Sequence, residues 1–343
     1  MYSNLPPYKQ RGEPWFEDGN LILVTACDAI AFRVHRGVLA RHSEIFNGMF
    51  ELPQPTASTS ESSLEMIEGC QVVKMYDLPA ELSSLVKALY DGVSFSNQSI
   101  DDFFHLAGIL RLSSKYFIAH LRTEAIHFLT ETWAVTLGAH DMMVHKALET
   151  SAKATTALAL SYPYVHPLHV LNLARETNVR SVVPSCIYFL SLYRLDDILS
   201  GDHPKLQVEH PSRPSSVLTL EDIRLYTLMF QRRIDINVEF FRQFCGKRNA
   251  CAQCTNAKET CRRGFSKLTR HLSDSWNVRT SALHWMNQAV EYLETLNLVC
   301  YSCYAAFSRD VKALRESTWE ELPSYIGLPS WAELIKADRD LPT

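Results

Sequence analysis

Leu21-Ile22-Leu23-Val24 is an unbroken apolar run, the pattern of a strand covered on both faces. After a short connection through Cys27, Asp28 and Ala29, Phe32 and Val34 alternate with Arg33 and His35. That period of two marks a half-buried strand. The period then lengthens: Ser43 stands as an N-cap ahead of Ile45, Phe46, Met49 and Phe50, which recur at helical spacing. Val72 to Tyr76 predicts a third strand. Pro79 opens a helix with Leu82, Leu85, Val86 and Leu89 on one face, and Asp91-Gly92 stops it. Ser99 and Asp102 form a capping-box signature before a helix carrying Phe103, Leu106, Ala107 and Leu110; the next carries Leu121, Ala125 and Phe128.

From about residue 132 the pattern predicts helices and no strand. Residues 170–175 and 187–190 read as successive amphipathic helices, with Pro184 near the start of the second. Gly201, Pro204, Pro211 and Pro214 mark the stretch from Leu199 to Ser216 as a long loop or boundary. A further helix follows Thr219, with Glu221 and Asp222 in the turn where negative charge suits the helix dipole. Trp319, Leu322, Pro323, Tyr325, Ile326, Leu328, Pro329 and Trp331 form a closing segment expected to pack back on the helices. Residues 53–63 interrupt the first unit: six of the eight residues from Thr56 to Ser63 are Ser or Thr. Such a stretch buries too little apolar surface to offset its ordering entropy, and a mobile loop is expected. The fold class is therefore α+β over residues 1–131, a small sheet wrapped by helices, and mostly α-helical over 132–343.

The first unit resembles a BTB/POZ domain, the resemblance covering about a third of the chain. Asp18, Phe32, His35, Arg36, Val38, Leu39, Ala40, Ser43, Phe46, Met49 and Phe50 fill the family's pattern. The resemblance implies that Asp18 and His35 hold the strand pair and the first helix together. It also implies a protein-binding function, with homodimerisation through the first helix region near Arg36 to His42; Arg36, Leu39 and Phe50 are the candidate contacts. Pro6, Pro7 and Pro14 each remove a ladder donor, which argues against an exchanged N-terminal strand. Family members that serve as substrate adaptors for cullin-type ubiquitin ligases carry an apolar-x-acidic motif just before the third strand, where this chain has Met66-Ile67-Glu68. Met66 and Glu68 are thus candidate contacts to a cullin scaffold. The layout as a whole resembles BTB proteins of mushroom-type fungi, whose helical extension ends in a Leu-Pro-rich segment. No kelch-type repeats and no finger array follow the domain.

Composition alters this picture little. The chain is 46% hydrophobic and 21% charged with a net charge of −4, so it carries no overall bias toward nucleic acid or acidic membranes. No run approaches the ~20 apolar residues of a membrane span, and Pro6, Pro7 and Lys9 are unlike a signal peptide. An intracellular location, cytoplasmic or nuclear, is expected. There the nine cysteines are reduced or metal-bound in preference to paired.

Cys251-x-x-Cys254 and Cys300-x-x-Cys303 are spaced as two half-sites of a structural zinc site, a closed Cys₄ set with no open position. Cys245, Cys261 and His271 are spare candidates near the first pair. Simple reduced cysteines on helices are the plain alternative. Between 245 and 279, Lys247, Arg248, Lys258, Arg262, Arg263, Lys267, Arg270 and Arg279 face only Glu259 and Asp274. A nucleic-acid-associated or transcriptional role through a zinc-stabilised basic region is the second functional reading. Catalysis is not expected: no G-x-S-x-G elbow, phosphate loop or G-x-G-x-x-G occurs. His166-Pro167-Leu168-His169 reads as a solvated loop, and His140 and His145 fit one helix face poorly.

Overall fold

A computed structural model describes residues 8–52, 66–153 and 165–339; the Ser/Thr-rich segment 53–63 lies outside them. Five strands form one sheet: β1 (Gln10–Arg11), β2 (Leu21–Thr25), β3 (Ile30–Val34), β4 (Met66–Ile67) and β5 (Cys70–Met75), in the order β1-β3-β2-β5-β4. β2 runs antiparallel to β3 and parallel to β5, with Leu23 opposite both Phe32 and Val73. This central position explains the unbroken apolar run. Leu21 and Leu23 enter the main core, while Ile22 and Val24 join a smaller cluster with Ala31 and Cys70, covered by Tyr8 and Trp15.

The third strand differs from its sequence expectation of 72–76. β5 begins two residues earlier and is half of a tight hairpin, with Ile67 opposite Cys70. Glu68 (φ 51°) and Gly69 (φ 77°) form its two-residue loop. Positive φ at both central residues matches the twist of a right-handed strand pair.

Around the sheet stand α1 (Arg36–His42), α2 (Glu44–Glu51), α3 (Pro79–Asp91), α4 (Ile100–Lys115) and α5 (Ala119–Thr132). Their ends follow local chemistry. The Ser43 side chain accepts from the Phe46 N–H to start α2, and Pro79 occupies the first turn of α3 where its missing donor is harmless. Ser99 and Asp102 complete a reciprocal capping box on α4.

The described remainder is helical: α6 (Leu137–Lys153), α7 (Pro167–Glu176), α8 (Val183–Leu190), α9 (Leu195–Ser200), α10 (Leu220–Glu239), α11 (Lys258–Ser275), α12 (Ala282–Thr295), α13 (Tyr301–Glu320) and α14 (Trp331–Arg339). α10 runs directly into a π-helical turn at Phe240–Cys245. The main core does not stop at the end of α5. It continues through Trp133, α7, α8 and α10 to Trp319 and Trp331, whose rings stack at 5.3 Å. A second core joins the end of α10 to α11, α12 and α13.

One expectation about histidines is overturned. His166 caps α7 and Pro167 is its first residue; His166 and His169 are both fully buried, because the loop at 203–216 folds over them. His203 lies against His166, and Ser216 bonds His169. His140 is also buried, stacked on Phe189.

Candidate functional site

The first helix is tied to the sheet by a small polar network. His35 Nε2 lies 3.3 Å from Asp18 Oδ2. The His35 backbone N–H donates to the Tyr90 hydroxyl at 2.9 Å, and its Nδ1 lies 3.0 Å from the same oxygen. The hydrogen bond from His35 holds the Asp18 carboxyl below its ordinary range. Next to it the Arg36 N–H donates to Asn20 Oδ1. The guanidinium lies 4.7 Å over the Phe50 ring and donates to the Phe50 carbonyl.

Leu39 and Phe50 prove unsuitable as contact residues. Both are buried, on the inner faces of α1 and α2, where they hold the helices to the core. Phe46 and Phe50 form the inner edge of α2. The outer edge is a different stripe: Ile45 is 42% exposed and Leu52 64%, with Met49 half-buried between them. Ile45 and Met49, four apart, share one face of α2, and Leu52 follows as its C-cap. Gly48 is exposed beside them, with nothing within 4 Å of where a Cβ would sit. The spacing was visible in the sequence, but Ile45 and Met49 blend there into the same apolar run as Phe46 and Phe50.

Met66 and Glu68 separate in character. Met66 is 57% exposed on the outermost strand of the sheet. The Glu68 carboxylate is engaged within the chain: Arg11 donates to it at 2.8 Å and Arg33 at 3.4 Å. These pairs clamp the hairpin loop against β1 and β3.

The cysteine-rich region is assembled by helix ends. Cys251 and Cys254 lie in the loop before α11, linked by a turn in which the Cys254 N–H donates to the Cys251 carbonyl. Cys261 sits in the opening turns of α11, Cys300 is the N-cap of α13, and Cys303 lies in its first turn. α11 and α12 fill the long interval between the two Cys-x-x-Cys pairs and fold it into a hairpin. Sulfur atoms of Cys254, Cys261, Cys300 and Cys303 all lie within 4.8 Å of one another. This group could hold a metal ion. Cys251 Sγ approaches Cys303 Sγ at 3.5 Å but stands outside the foursome, and Cys261 takes the place expected for it. The Cys254-x₆-Cys261 step was the available signal.

Gly264 makes this meeting geometrically feasible. A Cβ there would lie 2.1 Å from the Leu298 carbonyl oxygen, so only glycine lets α11 press against the chain entering α13. Burial opposes ionisation of Cys300, yet hydrogen bonds from the Cys303 backbone and from Thr255 pull its thiol down to about 5. Burial pushes Cys261 and Cys303 up. The other two spare candidates lie apart: His271 stacks on Tyr292, and Cys245 is buried within the second core.

The basic run is less uniform than its sequence suggests. Arg248 turns inward, paired with Asp310 at 2.6 Å and lying against Phe244, Phe265 and Phe307. Arg279 donates to the Leu192 carbonyl. Lys247, Lys258, Arg262, Arg263, Lys267 and Arg270 are exposed, with Glu259 beside Arg262 and Arg263.

A small sheet carrying α1 and α2, whose outer surface sets the exposed Ile45 and Leu52 among charged and polar side chains such as Arg36, Arg41, Glu44 and Asn47, has the character of an interaction scaffold. Comparison with protein families agrees: residues 21–131 match the BTB/POZ domain, about a third of the chain. The N-terminal unit is a BTB/POZ domain, a protein–protein interaction module, followed by a mostly helical region. No curated protein and no solved structure matches the chain. Among the described residues no helix is long and apolar enough to cross a membrane.

Proposed function

We propose that this chain is a self-associating interaction module whose BTB domain pairs with a second copy through the outer face of α1 and α2. The observation that carries this reading is the exposure of Ile45 and Leu52, with half-buried Met49 between them. Large apolar side chains left in water gain roughly 25 cal/mol for each Å² of apolar surface covered. Gly48 fits the same reading. A mid-helix glycine costs about 0.5–1 kcal/mol relative to alanine, and here it leaves an opening for a second backbone. β1 pairs with β3 of its own chain, which favours the helical face over an exchanged strand as the pairing surface.

Sedimentation equilibrium on the full chain tests this directly. The native chain should populate a dimer at micromolar concentration, and the double variant Ile45→Glu, Leu52→Glu should be monomeric with an unchanged circular dichroism spectrum. A native chain that stays monomeric, or a double variant that dimerises as tightly, contradicts the reading.

Exposed Met66 at the sheet edge favours one further role, docking on a cullin scaffold. Glu68 would first have to leave Arg11 and Arg33, which makes this the weaker reading. Titration against a cullin N-terminal domain, with Met66→Ala, Glu68→Ala alongside, decides it: binding abolished in the variant supports adaptor function, and no binding removes it.

A further inference from the structure

We infer that Cys254, Cys261, Cys300 and Cys303 bind one zinc ion as a closed tetrahedral tetrathiolate, with Cys251 serving outside the coordination shell as a backbone donor. Zinc–sulfur bonds of about 2.3 Å require sulfurs about 3.8 Å apart at the corners of a tetrahedron. Cys254 Sγ lies 3.6 Å from Cys261 Sγ and 3.7 Å from Cys300 Sγ, and all four sulfurs stay within 4.8 Å of each other. A cage of that size has room for one ion and none for an iron–sulfur cluster. Thiolate ligands select a soft or borderline metal over magnesium or calcium.

The surroundings suit bound thiolates. Cys251 donates its backbone N–H to Cys303 Sγ at 3.2 Å, and Cys300 donates its own to Cys261 Sγ at 3.3 Å. Such N–H···S bonds are the outer-shell partners that fix metal ligands. α11 and α13 both direct their N-termini at the cluster, where the dipole favours negative charge. Zn²⁺ with four thiolates carries a net charge of about −2. Lys247, Lys258, Arg262 and Arg263 flank the site in sequence and are exposed. On binding, each thiol that is still protonated releases its proton to solvent as four zinc–sulfur bonds form.

Cys251 distinguishes this ligand set from the pair of Cys-x-x-Cys motifs. It meets one member of the group, Cys303, whereas Cys261 belongs to the mutual foursome. With four protein ligands the site is closed, so its role is to pin α11 to α13 and not to activate water. It lies in the second core, away from α1 and α2, so zinc content and dimerisation are separately measurable.

The test is metal analysis of the full chain purified under reducing conditions, with single Cys→Ser variants. The native chain should carry about one zinc. Cys254→Ser, Cys261→Ser, Cys300→Ser and Cys303→Ser should each lose most of it, while Cys251→Ser and Cys245→Ser keep it. Because variants that lose zinc can also unfold, the native chain refilled with Co²⁺ gives a second readout. Tetrahedral tetrathiolate coordination produces intense d–d and sulfur-to-cobalt charge-transfer bands. A native chain with well under one zinc per molecule overturns the inference, as does cobalt without those bands. Loss of zinc in Cys251→Ser with retention in Cys261→Ser would assign the site to the two Cys-x-x-Cys pairs instead. Retention in all variants would mean an adventitious ion only.

Discussion

Three buried histidines contribute to the pH dependence of the native state. Burial first, then the nearby Arg315 and His284 charges, push His140 down to about 3. Burial likewise takes His169 to about 4 and His166 to about 2. Free histidine titrates near 6.5, so below that pH the unfolded chain takes up protons that the native chain refuses. Their contribution is complete above about pH 6.5 and is lost as the pH falls from there toward the folded values. Each site adds up to about 1.4 kcal/mol per pH unit to the slope. His140 has no hydrogen-bond partner on either ring nitrogen among the described residues, and it packs between Phe189 and Trp319. His140→Leu should therefore flatten the dependence of the urea midpoint on pH between 7 and 5 by about one proton's worth. An unchanged slope would show that His140 does not stay neutral. None of this was legible in the sequence, where His-Pro-Leu-His reads as a loop. What buries it is a segment some forty residues later, and periodicity carries no information about such a contact.

Elements whose limits are chemical were legible; those whose limits are tertiary were not. The Ser99–Asp102 capping pair, the helix start after Thr219, the Pro79 start and the Gly92 stop lie at fixed local offsets, and local offsets survive folding. The β4–β5 hairpin was missed because its loop uses Glu68 where Asn or Asp is usual, held in place by Arg11 and Arg33. The four sulfurs depend on how closely α11 approaches the start of α13, and Gly264 sets that approach. Gly264→Ala should destabilise the chain by about 1–3 kcal/mol through overpacking, read as a lower urea midpoint. An unchanged midpoint would mean that α11 and Leu298 do not meet as described. Likewise, α2 presents two apolar edges. Its sequence shows that both exist, but only the packed structure shows that Phe46 and Phe50 face inward and Ile45 and Leu52 outward.

At the scale of the whole molecule the BTB fold and the helical region share one core. Trp133 packs edge-on against Phe189, and the Arg122 guanidinium donates to the carbonyls of Thr177 and Asp338. The Asp338 carboxylate in turn accepts from the backbone N–H groups of Arg180 and Ser181, clamping α14 across the joint. None of these contacts involves α1 or α2, whose exposed residues include Ile45 and Leu52. The most direct test follows amide hydrogen exchange of the full chain at concentrations above and below dimer dissociation. Slower exchange at high concentration confined to residues 36–52 is the predicted result. Exchange independent of concentration, or protection appearing over α11 instead, would contradict pairing through the α1–α2 face.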